Sequence, residues 1–87
     1  MAHSTALVTA EDIYQLIRSA APEAIGEAAV DTPFDQLDVD SLTLVEIAVL
    51  TSQNYGPLVH DWEIAEAGTF AALADLVNQR RVLEGAS

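Results

Sequence analysis

Apolar residues recur at helical spacing in three stretches of this chain, and helix breakers stand between them. Ile13, Leu16, Ile17 and Ala20 form the first stretch, which Pro22 ends; the second runs from Ser41 to Tyr55 and stops at Gly56-Pro57; the third carries Phe70, Leu73 and Val77. No segment alternates with period two, so no sheet is expected. With 87 residues in all, the chain has room for one small core and not for a separate substrate domain. The pattern predicts an all-α bundle of three main helices plus one short helix at Asp61–Ala65. The folded unit is expected over residues 9–81, with a flexible N-terminus (1–8) and a flexible C-terminus (82–87).

Local signals support these bounds. Thr9 offers an N-cap, with Glu11 and Asp12 in the first turn, and the first helix is expected to reach about Ala21. Between Pro22 and Asp40 the period fails and Gly26 and Pro33 intervene, which is loop chemistry. A helical turn around Glu23–Ala29 is compatible with this stretch, and Phe34 and Leu37 are its expected anchors on the helices. So long a loop in so small a domain points to function. Thr69 caps the last helix, and Arg80 and Arg81 are placed at its C-terminal end to complement the dipole.

Charge narrows the partners. Fourteen acidic residues face three basic ones, a formal net charge of -11, and between Ser19 and Gln79 there is neither Lys nor Arg. Nucleic acid and anionic membrane surfaces are therefore not expected partners. A basic protein surface is. Apolar residues make up 51% of the chain, enough to fold despite the charge. The absence of cysteine removes disulfides, cysteine-based zinc sites and a cysteine nucleophile. No signal peptide is recognised in the first residues, and the longest apolar run, Phe70–Ala74, is far short of a membrane span. A soluble cytoplasmic protein is the expectation.

The helix from Ser41 has more apolar surface than one core contact needs. With Ser41 at zero and about 100° per residue, Leu44, Ile47, Ala48, Thr51 and Tyr55 fall in a sector of roughly 240–340° that can face the core. Leu42, Val45 and Val49 fall near 40–100°, beside Ser41, with Glu46 and Gln53 at the outer border. An apolar stripe left outside a bundle marks an interaction surface. Ser41 is compatible with a plain N-cap. A hydroxyl at a helix N-terminus also lies where unpaired amides and the dipole favour a phosphate.

The run Phe34-Asp35-Gln36-Leu37-Asp38-Val39-Asp40-Ser41-Leu42, followed by Val45-Glu46, resembles the signature of acyl carrier proteins, and the similarity extends from about Phe34 through Val77. In that family the serine of Asp-Ser-Leu receives 4′-phosphopantetheine from coenzyme A. The resemblance implies attachment at Ser41, with Asp40 assisting the phosphopantetheinyl transferase or its metal. It implies enzyme docking by Leu42, Val45, Glu46 and Val49, and an acyl-chain pocket near Val59, Trp62, Ile64 and Ala67. It also implies a non-catalytic monomeric carrier, with no resident metal, serving ketosynthase, acyltransferase and modifying enzymes of a synthase. A cofactor thiol on a long arm would explain how a cysteine-free chain holds thioesters.

Several residues depart from the family pattern. Asp38 stands where a loop glycine is common, and Thr51-Ser52-Gln53-Asn54-Tyr55 lacks the usual acids, so docking should lean on the apolar stripe and be less salt-sensitive. Trp62 occupies a position that is usually polar and is expected as a lid on the core. Low acidity at the end of that helix and Trp62 together favour polyketide or other secondary metabolism over housekeeping fatty-acid synthesis. A peptidyl carrier shares the fold but more often has Gly-Gly before its serine; an unmodified interaction module is the other alternative. An EF-hand from Asp35 fails at Leu37, Val39 and Asp40. A hydrolase of Asp40, Ser41 and His60 lacks a glycine elbow and an oxyanion segment.

Overall fold

The structure, a computed structural model, describes residues 7–37 and 40–85. Most of the expected termini (1–6 and 86–87) and the loop position Asp38 lie outside the described residues, as does His3. Among the described residues the only regular structure is helical: α1 (Ala10–Ala20), α2 (Pro22–Ile25), a 3-10 turn (Phe34–Gln36), α3 (Ser41–Tyr55), α4 (Asp61–Ala67) and α5 (Phe70–Gly85). None of these helices is long and apolar enough to cross a membrane.

Capping sets the start of α1. The Thr9 hydroxyl accepts from the Asp12 amide at 3.1 Å and the Asp12 carboxylate accepts from the Thr9 amide at 3.0 Å, a reciprocal capping box. Pro22 does more than end α1. It takes the first position of α2, where its missing N–H is no loss and its fixed φ suits a helix. At the other end of the chain α5 runs past Arg81, because no breaker stands between Arg81 and Gly85. Arg80 and Arg81 are thus inside α5 rather than at its end, and the expected dipole pairing gives way to a different role for Arg80.

That role is a clamp. Arg80 pairs through both guanidinium nitrogens with the buried Glu63 carboxylate of α4, and its Nη1 also donates to the Leu58 carbonyl at 2.8 Å. Glu63 in turn accepts from the His60 amide at 3.0 Å, closing the start of α4. The guanidinium bonds hold the Glu63 carboxyl at about 2, far below its ordinary value.

The core lies among α1, α3, α4 and α5. Ile13 and Ile17 of α1, Ile47 of α3, Ile64 of α4, and Phe70, Leu73 and Val77 of α5 are all fully buried. Phe34 anchors the long loop as expected, its ring edge-on to Phe70 at 4.9 Å and its amide donating to the Gly68 carbonyl at 2.7 Å. Leu37 packs on the core beside it. The Tyr14 hydroxyl adds a third tie by donating to the Ala28 carbonyl at 2.7 Å. Gly68 ends α4 with φ +81°, a left-handed conformation that glycine adopts without a Cβ penalty. Ahead of α1, Val8 is buried and its backbone exchanges two 2.8 Å hydrogen bonds with the Asn78 side chain. Packing therefore begins at least one residue before Thr9.

Candidate functional site

Asp40, not Ser41, is the N-cap of α3. Its carboxylate accepts from the Thr43 amide at 2.9 Å, and its carbonyl accepts from the Leu44 amide at 3.1 Å. The Thr43 amide and hydroxyl hold the Asp40 carboxyl below its ordinary value, so it stays charged. With the cap supplied by its neighbour, Ser41 becomes the first residue of the helix, exposed, with its hydroxyl not engaged as the cap. Asp40 thus takes the capping role that the sequence also allowed to Ser41, and Ser41 stands exposed at the positive end of the α3 dipole. Its chemistry suits a phosphoester. The hydroxyl is an accessible nucleophile, and the helix terminus favours negative charge beside it.

The same helix divides as its angular pattern predicts. Ile47, Ala48 and Thr51 are buried, and Leu44 and Tyr55 pack partly against the core. Leu42, Val45 and Val49 are exposed to 75%, 43% and 46%, and Glu46 and Gln53 are exposed beside them. An apolar strip therefore runs from Ser41 down the outer face of α3. Leu58, also exposed, lies across a cleft of about 320 Å³ whose walls are Val45, Ala48, Val49 and Ser52 of α3 and the Leu58–Asp61 segment.

The four residues expected around an acyl pocket do not meet in one cavity. Val59 is buried in the floor of this cleft, held by its amide donating to the Ser52 hydroxyl at 3.0 Å. Ile64 is fully buried in the core. Ala67 lines a separate, acidic groove with Glu63, Glu66 and Asp75. Trp62 is 56% exposed and stacks on His60, their ring centroids 5.8 Å apart and nearly parallel, so it is not a lid on the core. The reason is the length of α4. Val59 precedes the helix, and the two turns of α4 point Trp62, Ile64 and Ala67 in different directions, so that of these three only Ile64 is buried in the bundle. Sequence reading also missed Leu58, whose position on the short connection between Pro57 and α4 gives no periodic signal.

Comparison with known proteins agrees with this geometry. Residues 11–77 match the family described as phosphopantetheine attachment site. An acyl carrier protein of Rhodococcus erythropolis is 37% identical over 87 aligned residues, covering 99% of this chain and 93% of that protein. A meromycolate extension acyl carrier protein of Mycobacterium leprae is 38% identical, over 88% of this chain and 69% of that protein. No solved structure matches. The family match takes in the bundle from the first turn of α1 to the buried Val77 of α5, and a relative aligns along almost the whole chain; this protein belongs to the acyl carrier protein family and carries acyl groups on 4′-phosphopantetheine.

Proposed function

We propose that Ser41 is the attachment residue and that the chain is a monomeric carrier for acyl elongation, built on residues 9–81 and acting in the cytoplasm. The observation that carries this reading is the division of labour at the start of α3: Asp40 caps, and the exposed Ser41 hydroxyl is left to react. In the loading step the Ser41 oxygen attacks the pantetheine-side phosphorus of coenzyme A. A phosphoester bond forms at Ser41, the pyrophosphate bond breaks, 3′,5′-adenosine diphosphate leaves, and the hydroxyl proton passes to a base of the transferase. Asp40, kept charged by Thr43, is suited to attract the magnesium that such a transfer uses. Once attached, the arm supplies a thiol on a long tether, which raises the effective concentration of its cargo near each enzyme.

Leu42, Val45 and Val49, with Glu46 at their border, form the docking strip for the transferase and then for ketosynthase, acyltransferase and modifying enzymes. Their exposure beside Ser41 supports this, since desolvated apolar contacts fix a partner while the general negative charge steers it. The cleft floored by Val59 and walled by Val45, about one turn of α3 from Ser41, is the shelter for a chain held from Ser41. A relative named for meromycolate extension favours acyl elongation over aminoacyl loading. The polar end of α3, Thr51-Ser52-Gln53-Asn54-Tyr55, and the exposed Trp62 favour a specialised cargo such as a polyketide intermediate. Incubation with coenzyme A, magnesium and a broad-specificity phosphopantetheinyl transferase tests the attachment. The intact mass should rise by one phosphopantetheinyl group in wild type and stay unchanged in Ser41→Ala; equal modification of both would overturn the assignment.

A further inference from the structure

Two consecutive peptide groups on the far wall of the cleft are held by side chains rather than by regular structure. The Leu58 carbonyl accepts from Arg80 Nη1 at 2.8 Å, and the His60 amide donates to the Glu63 carboxylate at 3.0 Å. Between these two, Val59 is held from α3: its amide donates to the Ser52 hydroxyl at 3.0 Å, and its carbonyl accepts from that hydroxyl at 3.5 Å. Arg80 and Glu63 are paired with each other, so the α4–α5 clamp fastens the segment on one side and a single hydroxyl fastens it on the other. Among the described residues Ser52 makes the only side-chain hydrogen bonds between α3 and Leu58–Asp61.

Those bonds decide where the cleft closes. Ser52 and Val59 line opposite walls, and a hydrogen bond of 3.0 Å between them leaves no gap for a chain to pass. Val59 is buried, so its amide has no ready water to take the place of the hydroxyl, and opening the closure is costly. On α3 the lining residue nearest Ser41 is Val45. Seven residues of helix, ~10 Å, separate Val45 from Ser52. The side chains along that length are apolar: Ala48 and Val49 on α3, with Leu58 and Val59 opposite. The cleft volume is about 320 Å³, room for about ten groups the size of a water molecule at ~30 Å³ each, and a methylene is close to that size.

We propose that Ser52 sets the length of acyl chain that this carrier shelters. The chain lies along Val45, Ala48 and Val49 and ends at the Ser52–Val59 closure, and carbons beyond that point project out of the cleft. Ser52 is a positioning residue: it holds Val59, and the apolar walls hold the chain. The proposal rests on the cleft being the acyl shelter and adds the cargo class: chains of up to about ten carbons are held whole, and longer ones only in part.

The test uses the full chain, as wild type, Ser52→Ala and Ser52→Thr. A broad-specificity transferase loads hexanoyl, octanoyl, decanoyl, dodecanoyl or tetradecanoyl pantetheine from the matching coenzyme A thioesters, or the unacylated arm as reference, and intact mass confirms loading. In wild type the thermal midpoint should rise by about 4 °C for each added pair of carbons and level off at decanoyl. Methyl NMR should place the chain by shifting Val45, Val49 and Val59. Unloaded Ser52→Ala should melt below wild type because the Val59 amide loses its partner, yet its midpoint should go on rising through tetradecanoyl. Ser52→Thr keeps the hydroxyl and should keep the wild-type plateau. If Ser52→Ala does not fold, Ser52→Cys, whose thiol is only a weak acceptor, replaces it with the same expectation. A wild-type midpoint that climbs through tetradecanoyl, or a variant that levels off at the same chain length as wild type, would show that the cleft holds the chain but Ser52 does not set its length, which overturns the proposal alone. If no chain changes the midpoint or the valine methyls, the cleft is not the shelter, and that reading fails together with the proposal.

Discussion

Replacing Glu63 with Gln removes the charge from the clamp between α4 and α5 while keeping its size. In wild type the Glu63 carboxyl is held at about 2 against an ordinary 4.5, chiefly by the Arg80 guanidinium. Each tenfold change in proton affinity corresponds to about 1.4 kcal/mol, so linkage bounds the contribution near 3 kcal/mol at neutral pH. The Arg80 side chain is 31% exposed, and solvent screening reduces this to about 1–2 kcal/mol. In a domain of this size that is roughly 5–15 °C in Tm. The sign of the pH dependence follows from a depressed folded value. The contribution is complete above about 4.5, shrinks as pH falls, and is gone below about 2. Thermal unfolding of wild type and Glu63→Gln, followed by circular dichroism from pH 7 to pH 2.5, reads the gap between them; the other carboxylates titrate in both proteins and largely cancel. A gap that stays constant across that range, or a variant that melts higher than wild type at pH 7, would refute the reasoning.

Two further substitutions separate docking from packing. Val45→Asp places a charge in the exposed strip beside Ser41 and should weaken binding to a ketosynthase or transferase at least tenfold by surface plasmon resonance, with an unchanged helical spectrum. Loss of the helical spectrum would instead make Val45 part of the core. Phe34→Ala removes the ring that meets Phe70 edge-on and should lower stability in urea by about 3–5 kcal/mol. A loss under 1 kcal/mol would mean that the loop is held by the Tyr14 and Gly68 hydrogen bonds rather than by this ring.

Local chemistry was the readable part of this fold. α3 could be bounded at Ser41 and Tyr55 because an acid-serine cap pair opens it and Gly56-Pro57 closes it. α1 was readable from Thr9 and Asp12, whose spacing lets each satisfy the other's amide. The exposed faces of Leu42, Val45 and Val49 followed from angle alone, since a helix packed on one side must show the other. Features set by contacts distant in sequence were not readable. Arg80 suited a helix end as well as it suited an ion pair, and only the packing of α4 on α5 brings Glu63 to it. Val59 and Ala67 are close in sequence, yet one precedes α4 and the other ends it, and they line different grooves. Thr51 was placed correctly in the core sector, but a hydroxyl without a partner is a property of its surroundings. The cap of α3 lay between these cases. Both Asp40 and Ser41 have the chemistry for it, and the backbone assigns it to Asp40.

Five serines, at positions 4, 19, 41, 52 and 87, offer hydroxyls to a transferase; among the described residues Ser19, Ser41 and Ser52, only Ser41 opens a helix behind an aspartate cap. Site mapping of the modified chain by tandem mass spectrometry is therefore the most direct measurement of how this carrier works. Phosphopantetheine should be found on the fragment ions that contain Ser41 and on no others. Modification at Ser19 or Ser52, or a chain that stays unmodified beside a known carrier loaded to completion, would contradict it.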